Sequence, residues 1–182
     1  MTDVHLLHAG YTEGGVASSV VLVRDGDAVI VVDPGMVRDR ALILEPLAAH
    51  GIAPEAVTHV TLSHHHPDHT MNVALFPNAE VVDFWARYIG DQWLDHDGDG
   101  YHIAPKTQLW LTPGHTEEDM TLLVEADDAV YAMTHLWWHG DRTPQEDPFA
   151  FDQHVLDTQR ERVLGAADIV IPGHGPAFRV RG

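Results

Sequence analysis

The sequence predicts an α/β fold with mixed rather than purely parallel sheets, and three observations carry that expectation. Short apolar, β-branched runs recur along the chain, helical stretches are interleaved with them, and both an early and a late pair of runs are joined by turns short enough to be hairpins. The 182 residues, 45% hydrophobic and 21% charged, can bury one substantial core, so a single domain over 1–182 is expected.

Val20 to Val23 and Ala28 to Val32 are joined by Arg24-Asp25-Gly26-Asp27, a polar glycine-containing turn, and read as a β-hairpin. Asp33-Pro34-Gly35 ends its second strand. Asp39 can then cap a helix reaching about His50, because its carboxylate accepts amide hydrogens left unpaired in the first turn, and Gly51 suits the exit. Val57 to Leu62 is the next strand, closing on Ser63 and a run of histidines, with a short helix expected over Thr70 to Phe76. Further strands are expected at Ala79 to Asp83, Gln108 to Leu111, Met120 to Glu125 and Ala129 to Met133. A long helix from Phe149 to Ala167 precedes a strand from Asp168 to Ile171. No internal repeat, linker or low-complexity tract interrupts this series.

Ten Lys+Arg against 28 Asp+Glu give a formal net charge of -18, and Lys106 is the only lysine. Such a surface repels phosphate backbones and anionic membranes, which argues against nucleic acid and for a small-molecule substrate; a homo-oligomer is compatible with it. It is also a surface that stays hydrated in a salt-rich cytoplasm. With no cysteine, disulfides, Cys-based zinc sites and a cysteine nucleophile are excluded. The N-terminal segment has no Lys or Arg ahead of an apolar run, and no apolar stretch approaches the ~20 residues that span a bilayer, so a soluble cytoplasmic protein is expected.

The chain carries fifteen histidines, and their placement is the decisive feature. His64-His65-His66-Pro67-Asp68-His69 lies where a buried strand gives way to a turn. Residues two apart on extended backbone project to one side, so His64 and His66 can converge on one cation. Pro67 redirects the chain, letting Asp68 and His69 reach a second position. Imidazole and carboxylate together suit zinc, iron or manganese, whereas calcium and magnesium want nearly all-oxygen sites. His115 and His174 each follow a short apolar strand and a Pro-Gly pair, Pro113-Gly114 and Pro172-Gly173, a turn that delivers an imidazole to a sheet edge.

These motifs, in this order, resemble the metallo-β-lactamase superfamily from the Asp33-Pro34-Gly35 turn to Gly173-His174-Gly175. The resemblance implies a four-layer αβ/βα sandwich, two mixed sheets flanked by helices, with metals in a cleft at the sheet edge. It implies His64, His66 and His115 as ligands of one metal, Asp68, His69 and His174 as ligands of a second, and Asp33 as an anchor behind them. The final segment, from Arg160 to Val180, is similar to the metallo-β-lactamase domain-containing protein one group. One departure matters: after the strand Ala129 to Met133 the family usually has Gly-Asp, the aspartate bridging both metals, and this chain has Thr134-His135. A carboxylate offers two oxygens to two cations and a neutral imidazole one lone pair. Three outcomes follow: His135 becomes another ligand of the second metal, which is the favoured one; that site stays empty; or Asp141 folds back to substitute.

The function implied is a metal-dependent hydrolase in which a metal-activated hydroxide, available because such a cation lowers the pKa of bound water to ~7, attacks a small ester, thioester, lactone or related substrate. Asp68 is the expected catalytic residue, orienting the water or taking its proton, with the second metal or His174 stabilising the leaving group. The expected cofactor is zinc, as one or two ions, with iron or manganese as alternatives. Competing readings are a non-catalytic or degenerate metal-binding protein, a phosphodiesterase or ribonuclease by analogy with the group named above, and oxidation by a single iron. Trp137 and Trp138, together with Trp85, Tyr88 and Trp93, are candidates for an apolar wall beside the metals. Asp95 to Gly100 opens like a calcium-binding loop, but Lys106 stands where a bidentate glutamate belongs, so an acidic surface loop is expected. Alternation turns His65 away from His64 and His66, and His59 and His139 are left outside the site.

Overall fold

The computed structural model describes residues 1–140 and 145–180, and among these thirteen strands form two sheets. The first runs in the spatial order β1 (Thr2–His8), β2 (Val20–Asp25), β3 (Ala28–Val32), β4 (His59–Thr61), β5 (Glu80–Val82), β6 (Arg87–Ile89) and β7 (Gln92–Leu94). The second runs β13 (Phe178–Arg179), β12 (Ile169–Pro172), β11 (Val130–Thr134), β10 (Met120–Glu125), β9 (Thr107–Leu111) and β8 (Tyr101–Ala104). Both are mixed: β3, β4 and β5 are parallel to one another, as are β11 and β12, and the remaining pairs are antiparallel.

Strand alternation explains the layers. Val21, Val23, Ile30 and Val32 point from the first sheet into a shared core with Leu109, Leu122, Val124, Met133 and Ile171 of the second. Their neighbours Leu22, Val31 and Val60 face outward, where Ile43 and Leu47 of helix α1 (Ala41–Ala49) cover them. On the other side Leu123, Ala132 and Val170 are covered by Leu156 and Val163 of helix α3 (Gln153–Ala166). Continuous apolar runs such as Val20 to Val23 therefore read as buried on both faces. The result is helix, sheet, sheet, helix: the expected four-layer sandwich. No helix among the described residues is long and apolar enough to cross a membrane.

Several boundaries differ from the sequence expectation. The helix after the histidine run is α2 (Pro67–Thr70), with a separate 3-10 turn at Val73–Leu75, because Pro67 occupies the first helical position behind an extended His66. Helix α3 starts at Gln153 instead of Phe149. Asp147 binds the Phe149 amide in a preceding turn, and Asp152 caps the helix by accepting from His154 and Val155 N–H. Asp39 accepts from Ala41 N–H at 2.9 Å, but the cap position of α1 is Arg40, one residue later than expected, and it makes no side-chain cap bond. The strands β1, β6, β7, β8 and β13 were not expected. The Asp95–Gly100 loop is structural: Asp99 accepts from Leu111 N–H at 2.9 Å and pairs with Arg162, also at 2.9 Å.

Candidate metal centre

Asp33, His64, His115, His135 and His174 all lie shortly beyond the C-terminal ends of strands, β3, β4, β9, β11 and β12 respectively. Strands that run the same way deliver their exit loops to one edge, and functional side chains gather there. Backbone bonds lock the two sheets together at that edge: Met120 N–H donates to Ser63 O at 2.8 Å and Ser19 N–H to Gly173 O at 2.7 Å.

His64 Nε2 and His115 Nε2 approach His66 Nδ1 at 3.0 and 3.2 Å. Beside them, Asp68 Oδ2 lies 3.3 Å from His69 Nε2 and 3.6 Å from His174 Nε2. His135 stands between, its Nε2 3.3 Å from His174 Nε2 and its ring within 4.5 Å of that of His64. Three sets have donor atoms mutually within 4.8 Å: His64, His66 and His115; Asp68, His69 and His174; and His64, His69 and His135.

The groups behind these rings decide which nitrogen faces inward. His174 Nδ1 is 2.7 Å from Ala17 O, which can only accept, so Nδ1 carries the proton and Nε2 presents its lone pair. His69 Nδ1 donates to Asp33 Oδ2 at 2.8 Å, while Asp33 Oδ1 accepts from Ser63 N–H at 2.7 Å. Asp33 holds this double role on a left-handed backbone, φ 49°, and Ser18 Oγ donates to its carbonyl at 2.7 Å. Gly35, two residues on, admits the Asp68 backbone where any Cβ would overlap it.

Burial keeps His64 and His135 neutral, their pKa values well below the ordinary 6.5, with the neighbouring imidazoles adding to the effect. Burial likewise lowers His115 to about 4 and depresses His174. His69 runs the other way. Burial opposes its charge, but Asp33 on one side and Asp68 on the other outweigh that and raise it to about 9. Asp68 is held ionised at about 2, since the His69 contacts outweigh its burial.

This donor set fits a borderline cation. Neutral imidazoles are competent ligands, His135 Nδ1 is buried without a hydrogen-bond partner, and the charge between Asp33 and Asp68 is one that a metal ion can take over from a proton. Sequence reasoning missed Asp119, which is buried beneath His115. Its carboxylate accepts from His115 N–H at 2.6 Å and from Thr116 N–H at 3.0 Å and Oγ1 at 2.7 Å. Burial pushes that carboxyl up to about 7 against the pull of these bonds. The available signal was an aspartate three residues after Thr116, a local capping pattern.

All seven expected ligand positions come together. His65 turns out to Asp83, 2.9 Å away, and His59 and His139 belong to none of the three sets. Asp141 lies outside the described residues. The aromatic wall differs from expectation: Trp138 and Phe149, their ring centroids 5.1 Å apart, line a cavity of about 340 Å³ with Thr12, Asp68 and His115. Trp137 instead packs on Phe178 against α3, and Tyr88 pairs with Trp93. Trp85 and Trp93 are 53% and 66% exposed because they lie at the far edge of the first sheet.

Comparison with known proteins places the chain in a family and matches its fold. The model of the metallo-beta-lactamase superfamily matches residues 14–178. The metallo-beta-lactamase domain-containing protein 1 of Xenopus laevis is 32% identical over 98% of this chain and 82% of its own length. Among solved structures, a Thermotoga maritima protein of metallo-beta-lactamase type superposes with a TM-score of 0.76 at 20% identity, covering 98% of this chain and 99% of that one. An N-acyl homoserine lactone hydrolase, solved with N-hexanoyl-L-homoserine product at its catalytic metal centre, gives 0.69 at 20% identity, covering 94% of this chain and 92% of that one.

Proposed function

The chain belongs to the metallo-beta-lactamase superfamily, and from that premise we propose that it is a metal-dependent hydrolase, zinc being the first candidate ion, acting on a small uncharged ester, thioester or lactone. The observation that carries this reading is the convergence of His64, His66 and His115 nitrogens, 3.0 and 3.2 Å apart, with His66 and His115 lining the cavity that Trp138 and Phe149 wall. In this assignment those three hold one ion and Asp68, His69 and His174 a second. A cation there supplies water acidified to a pKa of about 7.

The chain's own residues do the rest. Asp68, with a pKa of about 2, is too weak a base to abstract a proton well, so its carboxylate orients the attacking water. His174 commits its proton to Ala17 O and presents only a lone pair, so it is a ligand and gives no hydrogen bond to a leaving group. Trp138 and Phe149 exclude water on one side and accept an apolar acyl or alkyl group. No Lys or Arg lines the cavity among the described residues, which together with the net charge of -18 supports an uncharged substrate over a polynucleotide. The similar N-acyl homoserine lactone hydrolase makes lactones the first compounds to assay.

The test is to measure bound metal in the purified protein and then assay a panel of lactones, thioesters, carboxylic esters and phosphodiesters with and without chelator. Turnover of an uncharged member, abolished by chelation and restored by zinc, supports the proposal. Chelator-insensitive turnover, or a fully loaded protein inert to every member, contradicts it.

A further inference from the structure

We propose that His135, together with His64 and His69, forms a third metal position at the centre of the cluster, and that an ion bound there excludes both outer ones. This rests on the metal-centre reading above and goes beyond it by assigning the first ion to a different ligand set.

The three rings form a close group, tilted or edge-on to one another. Centroid separations are 4.3 Å for His64 and His69, 4.5 Å for His64 and His135, and 4.8 Å for His69 and His135. The outer pairs span a similar range, from 4.6 Å for His64 and His66 to 5.4 Å for His69 and His174, so the central set is as compact as either outer one. All three central rings are buried, whereas in the first outer set His66 is exposed and His115 half-buried, and in the second Asp68 is half-buried.

Exclusion follows from counting lone pairs. The central set takes His64 from one outer set and His69 from the other. His69 has already committed Nδ1 to Asp33, and His64 Nδ1 is 3.1 Å from Ser63 Oγ, so each ring has one nitrogen left for one ion. Charge points the same way. Of the two outer sets only one contains a carboxylate, Asp68, and an imidazole stands between them where an anion would relieve the repulsion of two cations. A lone central ion meets no second cation, and Asp33 stands behind His69 to offset its charge.

The chain also reserves space for this ring. Gly173 lies against it, and a Cβ at that position would overlap the His135 imidazole. His135 Nδ1 is buried without a hydrogen-bond partner, which is costly unless something else engages the ring. The consequence is a centre that saturates at one buried ion per chain, the two outer sets filling together only when the central ring is removed.

The test uses the full chain, stripped with chelator and titrated with zinc against a chromophoric competitor, with bound metal counted after desalting. Wild type should take up one tight ion per chain. His135→Gln should weaken that ion by more than about tenfold, at least the loss caused by removing even an outer partner of a ligand, and should raise the ions held at saturation from one to two. His66→Ala and His174→Ala leave the central ring in place and should barely change the first ion's affinity. If either weakens it as much as His135→Gln does, or if wild type takes two ions of equal affinity, the central position is refuted while the metal-centre reading stands. If wild type binds no zinc at all, both fall.

Discussion

Replacing Asp33 by Asn should disable His69 without removing an atom of it. Asp33 is buried, and its two oxygens serve different donors: Oδ1 the Ser63 amide at 2.7 Å, Oδ2 the His69 Nδ1 at 2.8 Å. An asparagine has one acceptor and one donor. The Ser63 amide can only donate, so the asparagine oxygen must stay with it and the NH₂ must face His69 Nδ1. His69 then has to accept at Nδ1 and carry its proton on Nε2, the nitrogen that points into the cluster, and its lone pair for a metal is gone. The size of the effect can be worked from the lift of His69 from 6.5 to about 9, roughly 3 kcal/mol at ~1.4 kcal/mol per tenfold, shared between Asp33 and Asp68. Asp33's part corresponds to a zinc affinity lowered about 10- to 100-fold, the range found when an outer partner of a ligating histidine is lost. Competition of stripped wild type and variant against a chromophoric chelator at neutral pH measures it. Asp33→Ala should be worse in a second respect, because it also orphans the Ser63 amide, and should lower stability by about 3 kcal/mol or more. An Asp33→Asn protein with wild-type zinc affinity would refute the tautomer argument.

The metal-free protein should be most stable near neutral pH. His64, His115, His135 and His174 have folded-state pKa values below 6.5, so the unfolded chain binds more protons there and their stability contribution is lost as pH falls from about 6.5 toward 4; Asp119, at about 7, opposes this but is one group against four. His69, raised to about 9, contributes fully below 6.5 and its contribution is lost as pH rises through 9, so Tm scanned with chelator present should fall on both flanks, and a Tm still climbing at pH 9 would contradict the assignment. Asp119→Ala leaves the His115 and Thr116 amides unsatisfied in the interior and should cost about 2–3 kcal/mol by denaturant titration, with Asp119→Asn recovering part of it. Once a substrate is in hand, Trp138→Ala should raise KM about tenfold for long-chain substrates and much less for acetyl ones, and an equal rise for both would remove Trp138 from the apolar wall.

The parts of the fold legible in the sequence are those where one physical signal acts alone. The β2–β3 hairpin was readable because both faces of each strand are covered, which makes the strands continuous apolar runs around a Gly26 turn with φ 61°. Strand β1 was not, since Thr2, Asp3 and His5 dilute its pattern, and its place is decided by pairing with β2, from Thr2 opposite Asp25 to His8 opposite Val20. Strands β6 and β7, three residues each, are too short for any period to emerge, and they exist because β5 offers them an edge. Helix α3 begins late because Asp147 and Asp152 arrest the chain locally, a competition that a hydrophobic pattern does not register.

The site divides along the same line. His64, His66, Asp68 and His69 were legible because their spacing is itself the geometry, and His115 and His174 because each rides on a Pro-Gly turn. What spacing leaves out is which distant atom fixes each ring. Ala17 O aligning His174, Asp33 aligning His69 and Asp119 holding the His115 loop join residues 157, 36 and 4 apart, and two of the three depend on how the strands assemble. His135 shows the limit most sharply. From sequence it is a lost bridging carboxylate, a vacancy in a metal-binding pattern. In the folded chain the imidazole is not in a vacancy at all: it is buried at the base of the cavity, backed by a glycine whose Cβ would overlap it, and within reach of ligands from both outer sets. A residue that merely failed to bridge would not need that space kept for it, so the substitution is better understood as a change in where the first ion sits than as the decay of a two-ion centre.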